Sequence, residues 1–171
     1  MAQQSHPIRP FMPADTMALR DLFGQSIEVL TAEDYNEDQR LAWMARAEDA
    51  QAFAQRLGSM VTLVVQAEGE YLGFASLKDN SILDMLYVHP YAAGQGVGTA
   101  LADALERLAK ARGAKTITVE ASDTAQPFFA ARGYVPGKRS LLPVEDEWLS
   151  NTTMSKTLAE PSEAADLDGE S

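Results

Sequence analysis

Glycine stands at three alternate positions, Gly94, Gly96 and Gly98, in a loop that joins an apolar strand to a helix. Because glycine has no Cβ and tolerates positive φ, backbone N–H groups in such a loop can turn inward and approach a ligand closely. The helix that begins near Val97 adds unpaired N–H donors and the positive end of its dipole. The segment predicts a phosphate or pyrophosphate site that needs no lysine. Alternatively, the glycines serve only a tight turn, and the loop sequence alone does not decide between these two roles.

Two other glycine-rich phosphate motifs fit less well. A Walker loop is excluded because no Gly-Lys-Ser/Thr follows the glycines. In the dinucleotide pattern G-x-G-x-x-G, Gly94 and Gly96 match, and Glu120 would stand about where the ribose-binding acid is expected. However, the third glycine position falls on Thr99, the strand ends well before Gly94, and the chain lacks the further βα units of a dinucleotide fold. The dinucleotide interpretation is therefore disfavoured.

Length and composition favour one cytoplasmic domain. The chain has 171 residues, of which 46% are apolar, a value typical of a globular protein. No apolar run approaches the roughly 18 residues of a membrane span, and no secretory signal begins the sequence. The absence of cysteine excludes disulfides and thiolate metal sites, and two histidines are too few for a histidine-rich metal cluster. We predict a cytoplasmic location, no membrane contact and no bound metal.

The net charge of −11 argues against nucleic acid as a partner, because such binding needs Lys and Arg to replace phosphate counterions. Part of that charge is concentrated in residues 159–171, which contain acids but no base: Glu160, Glu163, Asp166, Asp168 and Glu170. We predict a single domain over residues 1–158 and an acidic, disordered tail over 159–171. The sequence leaves a homodimer open.

The hydrophobic periodicity predicts the element order β-α-α-α-β-β-β-α-β-α-β-β. Met60 to Ala67, Tyr71 to Leu77 and Ser81 to Val88 are β-rich runs separated by short turns, so they predict a three-stranded meander. Farther on, Tyr134-Val135 and Thr152 to Thr157 suggest two last strands around a longer loop. The fold class is mixed α/β, with an antiparallel meander that leads into a β-α-β unit.

The strand end Leu86-Tyr87-Val88-His89-Pro90 and the segment Gly94-Gln95-Gly96-Val97-Gly98-Thr99-Ala100-Leu101 together resemble the acetyl-CoA motif of the GNAT family of N-acetyltransferases. Val119-Glu120-Ala121-Ser122 and Phe128 to Tyr134 continue the likeness, which covers about residues 7 to 158. The variety that the chain most resembles is the YafP-like acetyltransferases. The resemblance implies a mixed, mostly antiparallel sheet with splayed central strands and flanking helices.

The resemblance also implies acetyl-CoA as co-substrate and a set of contacts to it. Backbone groups of Leu86, Tyr87 and Val88 are expected to pair with the pantetheine arm. Ser122 stands where many relatives place an Asn near the cofactor. Amides of the loop and first helical turn are expected to hold the pyrophosphate: Ala93, Gly94, Gln95, Gly96, Val97, Gly98 and Thr99.

At two of the implied cofactor positions the sequence departs from the family pattern. Ala93 replaces the Arg or Gln of the motif, so pyrophosphate binding would rest more on backbone amides. Phe129 stands where many members have a Tyr that protonates the leaving thiolate, so water or another residue would serve.

The implied reaction is transfer of the acetyl group to a primary amine of a small molecule or peptide by direct attack. Asp84, in an otherwise apolar strand, is the first candidate for the general base, and Glu120 is the second. An ion pair with a neighbouring cation is an alternative role for Asp84. In this family the first two helices shape the acceptor site, and here they carry acids and aromatics: Glu33, Asp34, Tyr35, Glu37, Asp38 and Trp43. The alternative function is a non-catalytic acyl-CoA sensor or interaction module.

Overall fold

The computed structural model describes residues 6–158, so the predicted tail over 159–171 lies outside the described residues. The helices and strands are β1 (Ile8–Pro10), α1 (Thr16–Leu30), α2 (Glu37–Met44), α3 (Ala50–Gly58), β2 (Val61–Ala67), β3 (Glu70–Lys78), β4 (Ile82–Val88), α4 (Val97–Ala111), β5 (Thr116–Ser122), α5 (Gln126–Ala131), β6 (Val135–Val144) and β7 (Glu147–Thr157). This order is the one that the hydrophobic periodicity predicts.

Across residues 6–158 the strands form one seven-stranded sheet in the order β1-β2-β3-β4-β5-β7-β6. Every neighbouring pair is antiparallel except β4 and β5, which are parallel. The helix α4 makes the crossover between these two strands, as a parallel pair requires. The structure thus confirms the predicted mixed α/β class and the antiparallel meander of β2, β3 and β4.

The parallel strands β4 and β5 are paired only at their beginnings. Ile82 lies opposite Thr118 and Leu83 lies opposite Val119, and no further pair follows. On the other edge of β4, Ser76 pairs with Met85 and Leu77 with Leu83, so Asp84 is the extra residue of a β-bulge. The strands therefore part at the bulge, which agrees with the splayed strands that the resemblance implies.

The sheet separates two hydrophobic cores. One core joins the sheet to α4 and α5 and includes Leu83, Leu101 and Phe129, whereas the other joins it to α1 and α3 and includes Met85. Leu83 and Met85 are two positions apart and would share a face in a regular strand. The bulge at Asp84 places them in opposite cores, so it changes which side chains face the parted edge.

Gly73 in β3 allows α4 to lie close against the sheet. A Cβ at this position would stand 2.8 Å from Cγ1 of Val97 and 3.0 Å from the carbonyl oxygen of Tyr87. Neither neighbour can retreat without moving the helix or the strand. The glycine therefore fixes the distance between the start of α4 and the end of β4, where the glycine loop lies.

The prediction of a longer loop before the last strand is wrong. Residues 135–157 form a long antiparallel hairpin of β6 and β7, whose tight turn has Glu145 at φ +53°. Pro136 and Pro143 interrupt the strand pattern of β6 in the sequence. Both are tolerated because β6 is an edge strand. The tip of the hairpin packs on α2, where Val144 and Leu149 contact a cluster that includes Tyr35.

Asp15 joins the N-terminal strand to the sheet through a set of charged and polar contacts. Its carboxylate accepts hydrogen bonds from Arg9 at 2.8 and 2.9 Å, from the Met12 amide at 2.8 Å and from the Tyr71 hydroxyl at 2.8 Å. The residue is only 2% exposed. The hydrogen bonds from Arg9 outweigh the effect of burial and lower the pKa of Asp15 to about 2.

The lowered pKa of Asp15 predicts how the free energy of unfolding depends on pH. The contribution is fully present above the ordinary pKa of Asp, near 3.8, and is lost as the pH falls through about 2. We expect Asp15→Asn to lower the free energy of unfolding at pH 7 by about 1–2 kcal/mol and the deficit to shrink below pH 4. Urea titrations across this pH range measure the difference in free energy of unfolding. The control is Asp21→Asn, at an exposed position. A deficit independent of pH would contradict the assignment.

Candidate functional site

The parting of β4 and β5 opens a cavity of about 660 Å³, which we call the fork cleft. Its walls are the diverging halves of the two strands, the second half of α1, the glycine loop with the start of α4, and α5. All the residues predicted to bind a cofactor line it except Gln95. The fold thus brings the separate predicted segments to one place.

The glycine loop adopts the backbone conformation that its sequence predicts. Gly94 has φ +79° and Gly96 has φ +86°, in the left-handed region that favours glycine. Apart from its chain neighbours, no atom of residues 6–158 would lie within 4 Å of a Cβ at Gly94, and in the same range a Cβ at Gly96 would meet only the His6 side chain, at 3.6 Å. The space beside both glycines is therefore open to a ligand.

The amides of this segment fall into two groups. Those of Ala93 and Gln95 donate within the loop, to the Pro90 carbonyl at 3.3 Å and the Ala92 carbonyl at 3.2 Å. Among the described residues, no backbone carbonyl accepts from the amides of Gly94 and Gly96. The first turn of α4, Val97 to Thr99, adds the N–H groups that every helix leaves unpaired. The free donors thus alternate with amides that hold the loop in shape.

The backbone of Leu86, Tyr87 and Val88 continues the open edge of β4. These residues pair with β3 on one side, whereas the ladder to β5 ends at Leu83. The edge toward the fork cleft therefore presents backbone groups with no strand partner. An extended ligand with amide groups can occupy that edge as another strand would.

Ser122 and Phe129 lie on the β5 side of the fork cleft. The Ser122 hydroxyl accepts from the Ala125 amide at 3.1 Å. Phe129 is 2% exposed, and its ring packs against Tyr134 with the centroids 5.0 Å apart. Phe129 thus supplies apolar wall and no hydroxyl.

A second cavity of about 200 Å³, here called the side cavity, adjoins the fork cleft on the face of the sheet that carries α2 and α3. Six residues line both: Trp43, Asp84, Met85, Tyr87, Glu120 and Ser122. The end of the β6–β7 hairpin forms the far wall of the side cavity, including Val144 and Asn151. The two cavities therefore meet at the residues where the central strands part.

Asp84 and Glu120 are the first residues beyond the last pair of the parallel ladder, so the fork brings both predicted bases together. Oδ2 of Asp84 accepts from Nη2 of Arg56, in α3, at 2.8 Å. The side chain of Asp84 is 21% exposed and that of Arg56 is 40% exposed. Glu120 is exposed and accepts from the Thr153 hydroxyl at 2.8 and 2.9 Å. Asp84 thus has the ion pair that the sequence left open as its alternative role.

Tyr87 lies at the junction of the two cavities with its ring among aromatic side chains. Its centroid is 4.7 Å from that of Phe23, and its hydroxyl accepts from Nε1 of Trp43 at 3.2 Å. Burial raises the pKa of Tyr87 to about 12, although the charges of Arg56 and Arg46 oppose this. The Tyr87 hydroxyl therefore stays protonated at neutral pH.

The helices α1 and α2 contribute aromatic side chains rather than acids to the side cavity. Trp43 and Tyr35 line it, and the Tyr35 hydroxyl donates to the Ser150 carbonyl at 2.6 Å. The acids of this region, Glu33, Asp34, Glu37 and Asp38, are exposed and line neither cavity. The sequence did not predict the two cations of the side cavity, Arg46 and Arg56, because they come from different segments and belong to no motif.

The family model for the acetyltransferase (GNAT) domain matches residues 31–158. The chain belongs to the GNAT family. It is similar to a GCN5-related N-acetyltransferase from Rhodopseudomonas palustris, with 49% identity and a TM-score of 0.90, covering 92% of this chain and 99% of that one. This agrees with the resemblance seen in the glycine loop. As a GNAT N-acetyltransferase the chain is an acyltransferase, and the enzymes of this family use acetyl-CoA.

Two further relatives support the YafP-like resemblance and the fold. The uncharacterized N-acetyltransferase YafP of Escherichia coli K12 is 29% identical over 147 residues, which cover 86% of this chain and 93% of YafP. The PaiA N-acetyltransferase of Thermoplasma acidophilum, solved in complex with coenzyme A, has a TM-score of 0.72 at 18% identity and covers 90% of this chain and 99% of that one. The second likeness shows the fold alone.

Within residues 6–158 no helix is both long enough and apolar enough to cross a membrane. In the same part of the GNAT chain, no three His, Asp or Glu side chains stand together as a metal-binding group.

The glycine loop generates a prediction for acetyl-CoA binding. Acetyl-CoA is expected to raise the melting temperature. At a concentration of 100 times Kd, it should increase the free energy of unfolding by about 2.7 kcal/mol. Gly96→Val is expected to abolish this rise, because a branched side chain would fill the open space beside the free amides. Thermal denaturation with and without acetyl-CoA measures the effect.

The matched control is Gly113→Val, at the other end of α4. Gly113 has φ +95°, so valine costs similar backbone strain there, and apart from its chain neighbours no atom of the described residues lies within 4 Å of the added Cβ. We expect Gly113→Val to melt earlier than the wild type but to keep the full acetyl-CoA response. A folded Gly96→Val protein with an unchanged response would remove the loop from the site.

Proposed function

We propose that this GNAT protein transfers the acetyl group of acetyl-CoA to a primary amine of a small molecule or peptide by direct attack. The observation that carries the proposal is the fork between β4 and β5, which joins the glycine loop to the side cavity through Asp84 and Glu120. In this arrangement the fork cleft holds the cofactor, and the amine enters from the side cavity. We also propose a cytoplasmic location, supported by the absence of cysteine in the sequence.

The residues of the fork cleft fit acetyl-CoA. The free amides of Gly94, Gly96 and the first turn of α4 match a pyrophosphate. Gly94 and Gly96 adopt positive φ and have no Cβ that would stand in its way. The unpaired edge at Leu86 to Val88 matches the amide groups of the pantetheine arm. Ser122 and Phe129 would border that arm from the β5 side.

Acetyl-CoA supplies an activated acetyl group as its thioester. A backbone N–H of the Leu86 to Val88 edge donates to the carbonyl oxygen, where negative charge develops during attack. Asp84 accepts the proton of the amine, directly or through water, and its Oδ1 has no protein donor among the described residues. Arg56 on Oδ2 holds the carboxylate at the fork. Because Phe129 has no hydroxyl, the proton for the departing thiolate comes from water or another side chain.

An acceptor screen tests the proposed activity. Amines, amino acids, antibiotics and peptides are incubated with acetyl-CoA and the full chain, and free CoA is measured. We expect steady CoA release with at least one class of primary amine. Binding of acetyl-CoA without release for any amine would favour the alternative, a non-catalytic acyl-CoA sensor.

With an accepted amine, Asp84→Asn is expected to lower kcat by about 10² to 10⁴-fold, the usual contribution of a general base. The acetyl-CoA affinity is expected to hold, because backbone groups of the loop provide it. Glu120→Gln is the matched variant, because Glu120 is the first residue of β5 beyond the parallel ladder. We expect Glu120→Gln to lower kcat less than Asp84→Asn does. A rise in KM alone would instead make Asp84 an amine-binding group. Near-normal kcat in folded Asp84→Asn, with a large loss in Glu120→Gln, would move the base to Glu120.

A further inference from the structure

The charges of the side cavity are arranged by sign. Its two acids, Asp84 and Glu120, lie at the junction with the fork cleft and line both cavities. Its two cations, Arg46 and Arg56, line the side cavity only. A molecule in the side cavity therefore meets Glu120 and the Asp84–Arg56 ion pair at the end where acetyl transfer is proposed, and Arg46 as a further cation.

The two guanidinium groups differ in what they already bind. Arg56 is neutralised by its 2.8 Å ion pair with Asp84. Among the described residues, Arg46 makes no ion pair and no side-chain hydrogen bond. A planar guanidinium with several free donors matches a carboxylate in particular, because two parallel hydrogen bonds can form. Arg46 is thus the cation of the side cavity that remains to bind an anion.

The other walls combine aromatic and apolar side chains with the polar residues Ser150 and Asn151, and the space is small. Phe23, Tyr35 and Trp43 form one side, and Val144 and Leu149 of the hairpin form the other. A volume of about 200 Å³ is below the range of drug-sized ligand pockets, about 300–1,000 Å³. The side cavity therefore has the dimensions for a small molecule with an apolar part, and not for a folded partner.

We propose that the acceptor is a small amino acid-like amine, whose carboxylate binds Arg46 while its amino group lies between Asp84 and Glu120. This inference rests on the proposed acetyl transfer and specifies its substrate class. Arg46 is then a specificity-determining residue that selects against amines without an anionic group. A local cation is needed because Asp84 and Glu120 line the same cavity and would otherwise repel the carboxylate of the acceptor.

The test compares amines that differ in structure only by the carboxylate, and kcat/KM is expressed per neutral amine because an α-carboxylate also lowers the pKa of the amine. L-Phenylalanine is paired with phenethylamine, L-leucine with isoamylamine, and glycine, γ-aminobutyrate and ε-aminocaproate with the matching alkylamines, with CoA release as readout. We expect the carboxylated member of the preferred pair to have a kcat/KM at least about tenfold higher. Arg46→Gln is expected to remove this preference through KM, with kcat little changed, and Arg46→Lys is expected to restore part of it.

The matched control is Arg107→Gln, which removes the same charge from an exposed position on α4 outside both cavities. It is expected to keep the preference. If carboxylate-free amines react as well as their partners, the inference is overturned while the acetyl transfer stands. If no amine of either kind releases CoA although acetyl-CoA still raises the melting temperature, both the inference and the proposed transfer fail.

Discussion

The parting of β4 and β5 is the constraint from which the functional region of this GNAT chain follows. A parallel pair needs a crossover, here α4, and the start of that helix necessarily lies near the carboxyl end of β4. The bulge at Asp84 interrupts the ladder between β3 and β4, and the ladder to β5 stops one residue earlier, at Leu83. The parting of the strands at the bulge thus opens the fork cleft and leaves backbone groups free along the edge of β4. It also brings two carboxylates to the junction with the side cavity.

The proposed cofactor site reconciles an acidic protein with an anionic ligand. A chain of net charge −11 has no general attraction for a pyrophosphate, and within residues 6–158 no lysine or arginine lines the fork cleft. The free amides of the glycine loop and of the α4 N-terminus supply partial positive charge without a cation, and their donors are fixed before the ligand arrives. Because Gly73 allows α4 to pack closely against β3, the start of the helix lies next to the end of β4 and the glycine loop.

The sequence predicted those parts of the structure that depend on local patterns. The three alternate glycines identified the loop, and the β-rich runs identified the meander, because φ preference and alternation are properties of neighbouring residues. Asp84 was identified as an acid inside an otherwise apolar strand and Glu120 as an acid at the end of the next strand, but their common position at the fork depends on the pairing of β4 and β5. The β6–β7 hairpin was missed because Pro136 and Pro143 interrupt its pattern, and only its edge position makes them acceptable.

Arg46 and Arg56 show where sequence reasoning ends, since each reaches the side cavity from a different helical segment. Their consequences are also non-local. Arg56 compensates the charge of Asp84 at the bulge, where a half-buried carboxylate would otherwise be costly, and so favours an acid at the centre of the sheet. The pair leaves one carboxylate oxygen without a protein partner, and it leaves Arg46 as the cation without an ion pair among the described residues of the side cavity. In the proposed arrangement cofactor binding rests on backbone groups, whereas acceptor choice rests on side chains of α1 to α3 and the hairpin, so the acceptor could change without disturbing the acetyl donor.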